Sequence, residues 1–126
     1  MSFLRERFGY VPDLHFFASG KRKVRAVVKE GAEERADLKG VYVGKKAPYG
    51  FIISVEGSFL VGRGAKRGVI ELNDEEFDRW MSGQDLELRE DLPKGVYIVK
   101  YQEVFAGSGY FNGRVLKNLL PRVRVQ

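Results

Sequence analysis

Glycine spacing constrains the fold of this chain more than any other sequence feature. The 126 residues include 15 glycines, and these divide the chain into short apolar segments. The pattern Gly-x-Gly-x-x-x-Gly occurs twice between apolar stretches, at residues 62–68 and 107–113. Short apolar segments bounded by glycine-rich turns are typical of strands in small barrels and sandwiches. We therefore expect a mainly β fold, in which each glycine motif forms a hairpin.

Helices are expected only as short segments among many strands. The clearest helix spans residues 73–81, where Asn73 and Glu76 form a capping box and Phe77, Trp80 and Met81 share an apolar face. The other helices are expected at residues 2–8, 13–17 and 32–38. Strands are expected within residues 21–28, 41–43, 51–55, 58–61, 68–72, 86–88, 96–101, 104–106, 114–116 and 122–125. These elements predict one α+β domain over residues 1–126.

The composition gives little support to catalysis. The chain has no cysteine and a single histidine, so it lacks thiolate ligands and a cysteine nucleophile. His15 lies between Leu14 and Phe16, which indicates a packed or capping side chain. The carboxylates of residues 74–78 are explained by the dipole of the helix that they begin. No apolar run is long enough to span a bilayer, and no signal-like segment is visible. We expect a cytoplasmic, non-catalytic protein without a cofactor or metal.

The charges are strongly segregated along the chain. Residues 1–30 carry seven basic and three acidic side chains, and residues 93–126 carry six basic and one acidic. Residues 71–91, in contrast, carry nine acidic and two basic side chains. We expect the two basic ends to converge in space and the acidic segment to face elsewhere. Such a surface suits the phosphate backbone of a nucleic acid.

The candidate RNA-binding residues are cations near turns, together with an aromatic ring and an amide. Tyr110 and Phe111 are the candidates for stacking on an unpaired base, and one of the two is expected to be core. Asn118 is expected either to hold a turn through backbone hydrogen bonds or to contact RNA. The complete candidate set is Lys21, Arg22, Lys23, Arg63, Lys66, Arg67, Tyr110, Arg114, Lys117, Asn118, Arg122 and Arg124.

The C-terminal half resembles a known family. A helix ends near Trp80-Met81-Ser82-Gly83, a strand follows at residues 95–99, and a glycine hairpin leads to Leu116-Lys117-Asn118-x-x-Pro121-Arg122. This order is similar to the PUA-like RNA-binding domain of Sun/Fmu-type RNA 5-methylcytosine methyltransferases, most closely over residues 58–126. The resemblance implies a pseudo-barrel that holds structured RNA, a module that usually accompanies a catalytic domain. The sequence shows neither an S-adenosylmethionine-binding domain nor a catalytic cysteine, so methyl transfer is not carried over.

These observations predict a non-catalytic protein that binds structured RNA, either tRNA or rRNA. Its expected role is accessory to RNA modification or ribosome maturation, with a separate RNA methyltransferase as a candidate partner. Two alternatives remain open. One is a protein-interaction module that docks a basic partner through the acidic helix 73–81. The other is a small nucleotide-processing enzyme.

Overall fold

The computed structural model describes residues 2–28 and 40–121. Its elements form two sheets and three short helices. In chain order they are α1 Ser2–Phe8, β1 Leu14–Ala18, β2 Lys23–Val28, β3 Val41–Ala47, β4 Gly50–Ile53, α2 Val55–Gly62, β5 Val69–Glu71, α3 Asp74–Met81, β6 Leu86–Glu87, β7 Gly95–Tyr101, β8 Val104–Phe111 and β9 Val115–Asn118.

The two sheets differ in how their strands are connected. The first is an antiparallel meander in the order β1-β2-β3-β4. The second sheet has the order β5-β7-β8-β9-β6. In this sheet β5 is parallel to β7, and all other neighbouring strands are antiparallel. The parallel pair is possible because α3 and β6 supply the long crossover that parallel strands need. This mainly β architecture confirms the expected PUA-like pseudo-barrel.

The second sheet carries a hydrophobic core on each face. Along β7, Val96 and Ile98 point into a cluster with α1 and the first sheet, whereas Tyr97 and Val99 point into a cluster with Trp80 of α3. This division follows from the period of two along a strand, because successive side chains point to opposite faces. A strand buried on both faces has no polar side, so residues 96–99 form a continuous apolar run.

Two buried serines join the sheets and helices. The Ser108 hydroxyl on β8 donates to the Ile53 carbonyl and accepts from the Ile53 N–H, both at 2.9 Å. The Ser58 hydroxyl on α2 accepts from the N–H of Gly107 at 3.0 Å. Both side chains are completely buried. Buried polar atoms are costly unless paired, so these hydrogen bonds determine where β4 and α2 meet β8.

Helix α3 confirms the strongest local prediction. The Asn73 side chain accepts from the Glu76 N–H, and the Glu76 side chain accepts from the Asn73 N–H. Trp80 is fully buried, and Phe77 is half-buried with its ring stacked on Tyr101 at 4.2 Å. Met81 is 56% exposed, so the prediction that it packs with Phe77 and Trp80 on one buried apolar face is wrong. A helix of two turns buries only a narrow stripe of side chains against the sheet, and in α3 this stripe is centred on Trp80.

Two other local predictions are wrong. Residues 13–17 were expected to form a helix, but Leu14–Ala18 pairs with β2 along its whole length. Leu14 and Phe16 pack against the core while His15 is exposed, which is the alternation of a strand. Residues 58–61 were expected to form a strand but lie in α2, whose cap is Ser54. Packing of α2 against β3 and β8 outweighs the strand propensity of its residues.

The two glycine motifs fold differently. The second joins β8 to β9 in an antiparallel hairpin, as expected. The first is not a hairpin, because Phe59–Gly62 is the end of α2 and the following strand pairs with β7. Gly109 in the second motif allows a close approach, since a Cβ there would lie 2.7 Å from the Trp80 ring. The expected elements at 32–38 and 122–125 lie outside the described residues.

Candidate nucleic-acid interface

Five cations gather where the β1–β2 hairpin meets β3. Two of them lie in the turn of the hairpin, one begins β2, and β3 contributes the other two. The Lys46 N–H of β3 donates a 2.8 Å hydrogen bond to the Arg22 carbonyl of the turn. All five side chains are exposed. Within residues 2–28 and 40–121, none of the five has an ion-pair partner. We call this group the basic hairpin end: Lys21, Arg22, Lys23, Lys45 and Lys46.

The cations of the basic hairpin end repel one another. Lys23 and Lys45 are directly paired across β2 and β3, and like charges in that position destabilise a sheet. Arg22 adds a backbone cost, because its φ of 65° lies in the left-handed region. A polyanion bound at this place would relieve the repulsion.

Shallow grooves border these cations. One, of about 280 Å³, is lined by Arg22, Lys23 and Lys46 together with the aromatic rings of Phe16 and Phe17. A second, of about 340 Å³, continues along Arg22 and Lys46 to Pro48 in the β3–β4 turn. Proteins that bind single-stranded nucleic acids combine cations, which contact the phosphates, with accessible aromatic rings, on which the bases stack.

A pair of tyrosines continues the surface beyond the turn. Tyr49 is 41% exposed, and its ring centre lies 4.8 Å from that of the half-buried Tyr110. Burial raises the pKa of the Tyr49 phenol above its ordinary value, and Tyr110 acts in the same direction. Tyr110 is paired across β8 and β9 with Lys117, so the two side chains share a face. Phe111 points the other way and is fully buried.

The loop after α2 uses its cations mainly within the protein. The Arg67 guanidinium donates to the Glu6 carbonyl at 2.7 Å and to the Arg5 carbonyl at 3.2 Å, which caps the end of α1. The Arg63 guanidinium lies 5.2 Å from the Phe59 ring centre. Lys66 is exposed without an ion pair among the described residues. This loop therefore offers less free charge than its sequence indicates.

Cations of β9 and the turn before it face carboxylates. Lys117 Nζ lies 3.6 Å from an Asp85 oxygen, and Arg114 Nε lies 3.4 Å from a Glu87 oxygen. The acidic segment was expected to face away from the C-terminal cations, and this is wrong, because β6 pairs with β9. The two partly neutralise each other at this edge. Arg122 and Arg124 lie outside the described residues.

Comparison with known proteins relates this fold to a family. Residues 67–126 match the family model described as the methyltransferase RsmF PUA domain. The chain is 30% identical over 92 residues to the ribosomal RNA small subunit methyltransferase F of Aeromonas salmonicida, covering 73% of this chain and 19% of that protein. It is 29% identical over 94 residues to the protein of the same name from Photobacterium profundum, covering 75% of this chain and 20% of that protein. Residues 67–126 are thus similar to the PUA domain of RsmF-type methyltransferases.

The match confirms the resemblance deduced from the Leu-Lys-Asn-x-x-Pro-Arg segment. The chain aligns with about a fifth of the length of these relatives. The region described by the family model is a PUA domain, so the similarity concerns this domain of such proteins. The basic hairpin end precedes residue 67, so it lies outside the residues that the family model covers.

Asn118 of the PUA-like domain is committed to internal hydrogen bonds. Its side-chain N–H groups donate to the carbonyls of Trp80 and Gln84 at 2.9 and 3.1 Å, and its oxygen accepts from the Leu120 N–H at 2.8 Å. Its own backbone N–H donates to Asp85 at 2.8 Å. The sequence left two roles open for Asn118, holding a turn or contacting RNA, and the geometry favours the first. Asn118 joins the end of α3 to β9 and thereby orients Lys117.

The acidic helix of the PUA-like domain also uses its charges internally. Asp74 accepts a 2.6 Å hydrogen bond from the Tyr101 hydroxyl, which raises the pKa of Tyr101 above its ordinary value. Glu75 forms an ion pair with Arg79 at 2.7 Å, and Glu76 completes the capping box. These contacts leave docking of a basic partner through α3 without specific support.

His15 does not have the packed position expected for it. Its ring is exposed and stacks on Phe17 with a centre distance of 6.0 Å. Among residues 2–28 and 40–121, no group of three or more His, Asp or Glu side chains is arranged to hold a metal ion. In the same part of the chain, no helix has the length and apolar character needed to cross a membrane.

Sequence reasoning missed three residues of this surface: Lys45, Lys46 and Tyr49. The signal was present, since Lys45-Lys46-Ala47-Pro48-Tyr49-Gly50 combines two cations, a turn and an aromatic ring. Two cations in one strand are unremarkable along the chain, and they become significant only when β3 is placed beside the β1–β2 turn.

Proposed function

We propose that this PUA-like domain binds structured RNA through the basic hairpin end, with tRNA or rRNA as the target class. The observation that supports the proposal is that Lys23 and Lys45 lie opposite each other with like charge, and neither forms an ion pair with any residue that the structure describes. Because this arrangement costs stability, a polyanionic ligand is the partner that compensates for it. Phosphate contacts of this kind give affinity and orientation without reading sequence.

The RNA path that we propose continues from the hairpin to the tyrosine pair. The grooves beside Arg22 and Lys46 lead to Pro48, and Tyr49 follows in the same turn. An unpaired base stacks on the exposed Tyr49 ring. Tyr110 packs against that ring within the protein, and Lys117 lies beside Tyr110 on the same face of the sheet. Arg63, Lys66 and Arg114 contribute long-range attraction, and Arg67 and Asn118 hold the surface in shape.

The wider role that we propose is accessory and non-catalytic. The relatives are named as ribosomal RNA small subunit methyltransferases, which favours rRNA and a role in RNA modification or ribosome maturation. In this proposal a separate RNA methyltransferase is the catalytic partner. We also propose that the domain acts in the cytoplasm.

Binding of a fluorescein-labelled RNA hairpin, measured by anisotropy against salt concentration, tests the phosphate contacts. Five contacts give a slope of log K against log salt of about −3.5, at about 0.7 per phosphate. Changing Lys21, Arg22 and Lys23 together to Ala is expected to flatten the slope by about 2. The control changes Arg79 and Arg89, the two cations of the acidic segment 71–91, to Ala, and it is expected to alter the slope by less than about 1. An unchanged slope in the triple variant would remove the hairpin from the site.

The stacking step has its own test. Tyr49→Ala is expected to weaken RNA binding by about 1–3 kcal/mol, because the ring contributes stacking energy. Since Tyr49 is largely exposed, the melting temperature should hardly change. Tyr49→Phe is the control and should keep the affinity. Equal affinities for wild type and Tyr49→Ala would show that the RNA contacts the cations but does not stack on Tyr49.

A further inference from the structure

An apolar groove lies on α2 and the β7–β8 turn, apart from the basic hairpin end. It has a volume of about 430 Å³ and is lined by apolar side chains between two carboxylates. Val55, Phe59 and Val104 are 40%, 50% and 52% exposed. Exposed apolar side chains grouped in one groove are a candidate contact surface for another macromolecule. The groove is lined by Val41, Val55, Phe59, Leu60, Val104 and Phe105, with Glu56 and Glu103 at its rim.

The charges along α2 indicate what occupies the groove. Glu56 is in the first turn of the helix, and Arg63 is its C-terminal cap. They are seven residues apart, which is about two helical turns or roughly 10 Å, so both lie on the face that carries Phe59. Neither has an ion-pair partner among the described residues. Glu56 lies three residues before Phe59 and Arg63 lies three residues after Leu60, so the two charges are equally distant from the midpoint of this pair.

This arrangement is complementary to itself. In an isologous dimer each surface patch meets its own copy, so residue i of one protomer faces residue j of the other and the reverse. A two-fold axis near Phe59 and Leu60 would place two α2 helices antiparallel. Glu56 of each copy would then face Arg63 of the other, so the two charges of α2 would be paired across the interface. The open groove beside Phe59 can receive the Phe59 ring of the second copy.

We propose that the protein forms a two-fold symmetric dimer through this groove, with a second copy of the chain as its occupant. The contact consists of Phe59 inserted into the facing groove, flanked by reciprocal Glu56–Arg63 ion pairs. The patch is one helix face and one turn, smaller than the roughly 800 Å² per partner of stable interfaces. We therefore expect a weak dimer that is populated at high protein concentration.

Analytical ultracentrifugation over a range of protein concentrations tests the proposal. Wild type is expected to shift from monomer to dimer, and Phe59→Glu is expected to remain monomeric at the highest concentration. Val104→Glu serves as an independent route to the same outcome, should Phe59→Glu unfold. The matched control is Met81→Glu, which changes an equally exposed apolar helix residue outside the groove and should leave the dimer intact.

Charge exchange tests the antiparallel geometry. Glu56→Arg alone and Arg63→Glu alone are each expected to weaken dimerisation at least about tenfold, because they place like charges opposite each other. The double variant restores the reciprocal pairs and is expected to dimerise within about threefold of wild type. A monomer at every concentration, a dimer unaffected by Phe59→Glu and Val104→Glu, or a double variant no better than the singles would each overturn the proposal. The triple variant of Lys21, Arg22 and Lys23 should dimerise normally, which separates this proposal from RNA binding.

Discussion

The basic hairpin end and the β9 edge are similar in sequence and opposite in electrostatics. Both are cation-rich stretches next to a turn. At the hairpin, Lys23 lies opposite another lysine, whereas at the edge Lys117 and Arg114 face Asp85 and Glu87. The first arrangement repels itself and attracts phosphates, and the second is already partly neutral. Local cation density therefore says little about available charge until the neighbouring strand is known.

The largest expected effect concerns Asn118, which joins the β9 edge to α3. Changing Asn118 to Ala removes three side-chain hydrogen bonds and leaves the Trp80 and Gln84 carbonyls and the Leu120 N–H without this partner. We expect a loss of about 2–3 kcal/mol in the free energy of unfolding, measured by chemical denaturation. The exposed neighbour Lys117, changed to Ala, is the control and should cost less than about 0.5 kcal/mol. An affinity loss for RNA without a stability loss would show that Asn118 contacts RNA.

The second prediction reverses one charge at the basic hairpin end. Lys23→Glu replaces a repulsive cross-strand pair with an attractive one, so stability should rise by about 0.5–1 kcal/mol. RNA affinity should fall in the same protein. Thermal melting and RNA anisotropy measure the two quantities. Lys23→Gln should be intermediate in both, and a Lys23→Glu protein that is less stable than wild type would contradict the proposed repulsion.

The third prediction releases a neutralised cation at the β9 edge. Glu87→Gln frees Arg114 from its exposed ion pair, which contributes only about 0–1 kcal/mol to stability. We expect RNA affinity to rise about twofold, because one negative charge is lost near the RNA path. Glu90→Gln, on the same acidic segment, serves as the control for the change in net charge. Equal gains from both variants would assign the effect to net charge alone.

The smallest expected effect concerns Tyr101 and the acidic helix. Donation to Asp74 raises the pKa of Tyr101, so the folded state holds this proton more tightly than the unfolded state. Its contribution to stability is present below about pH 10, the ordinary pKa of tyrosine, and is lost as the pH rises through the raised value. Tyr101→Phe should therefore lose less stability than wild type as the pH rises through this range. Chemical denaturation at a series of alkaline pH values measures the difference, and parallel pH profiles for the two proteins would contradict it.

Local sequence was sufficient where a short-range contact decides the conformation. The capping box of Asn73 and Glu76 needs only four consecutive residues, and the β8–β9 hairpin needs only its glycines and alternation. The family was also visible in sequence, because the Leu-Lys-Asn-x-x-Pro-Arg segment carries it without reference to distant contacts.

Long-range packing decided the rest. Residues 58–61 have strand-forming side chains but lie in a helix, because Ser58 meets Gly107 and α2 covers β8. Strand pairing brought Lys45 beside Lys23, and it brought β6 with its carboxylates beside Lys117 and Arg114. Coulomb interactions act through space and fall off within about 10 Å. Which cations remain free is therefore a property of the strand order, and the order of residues along the chain cannot supply it.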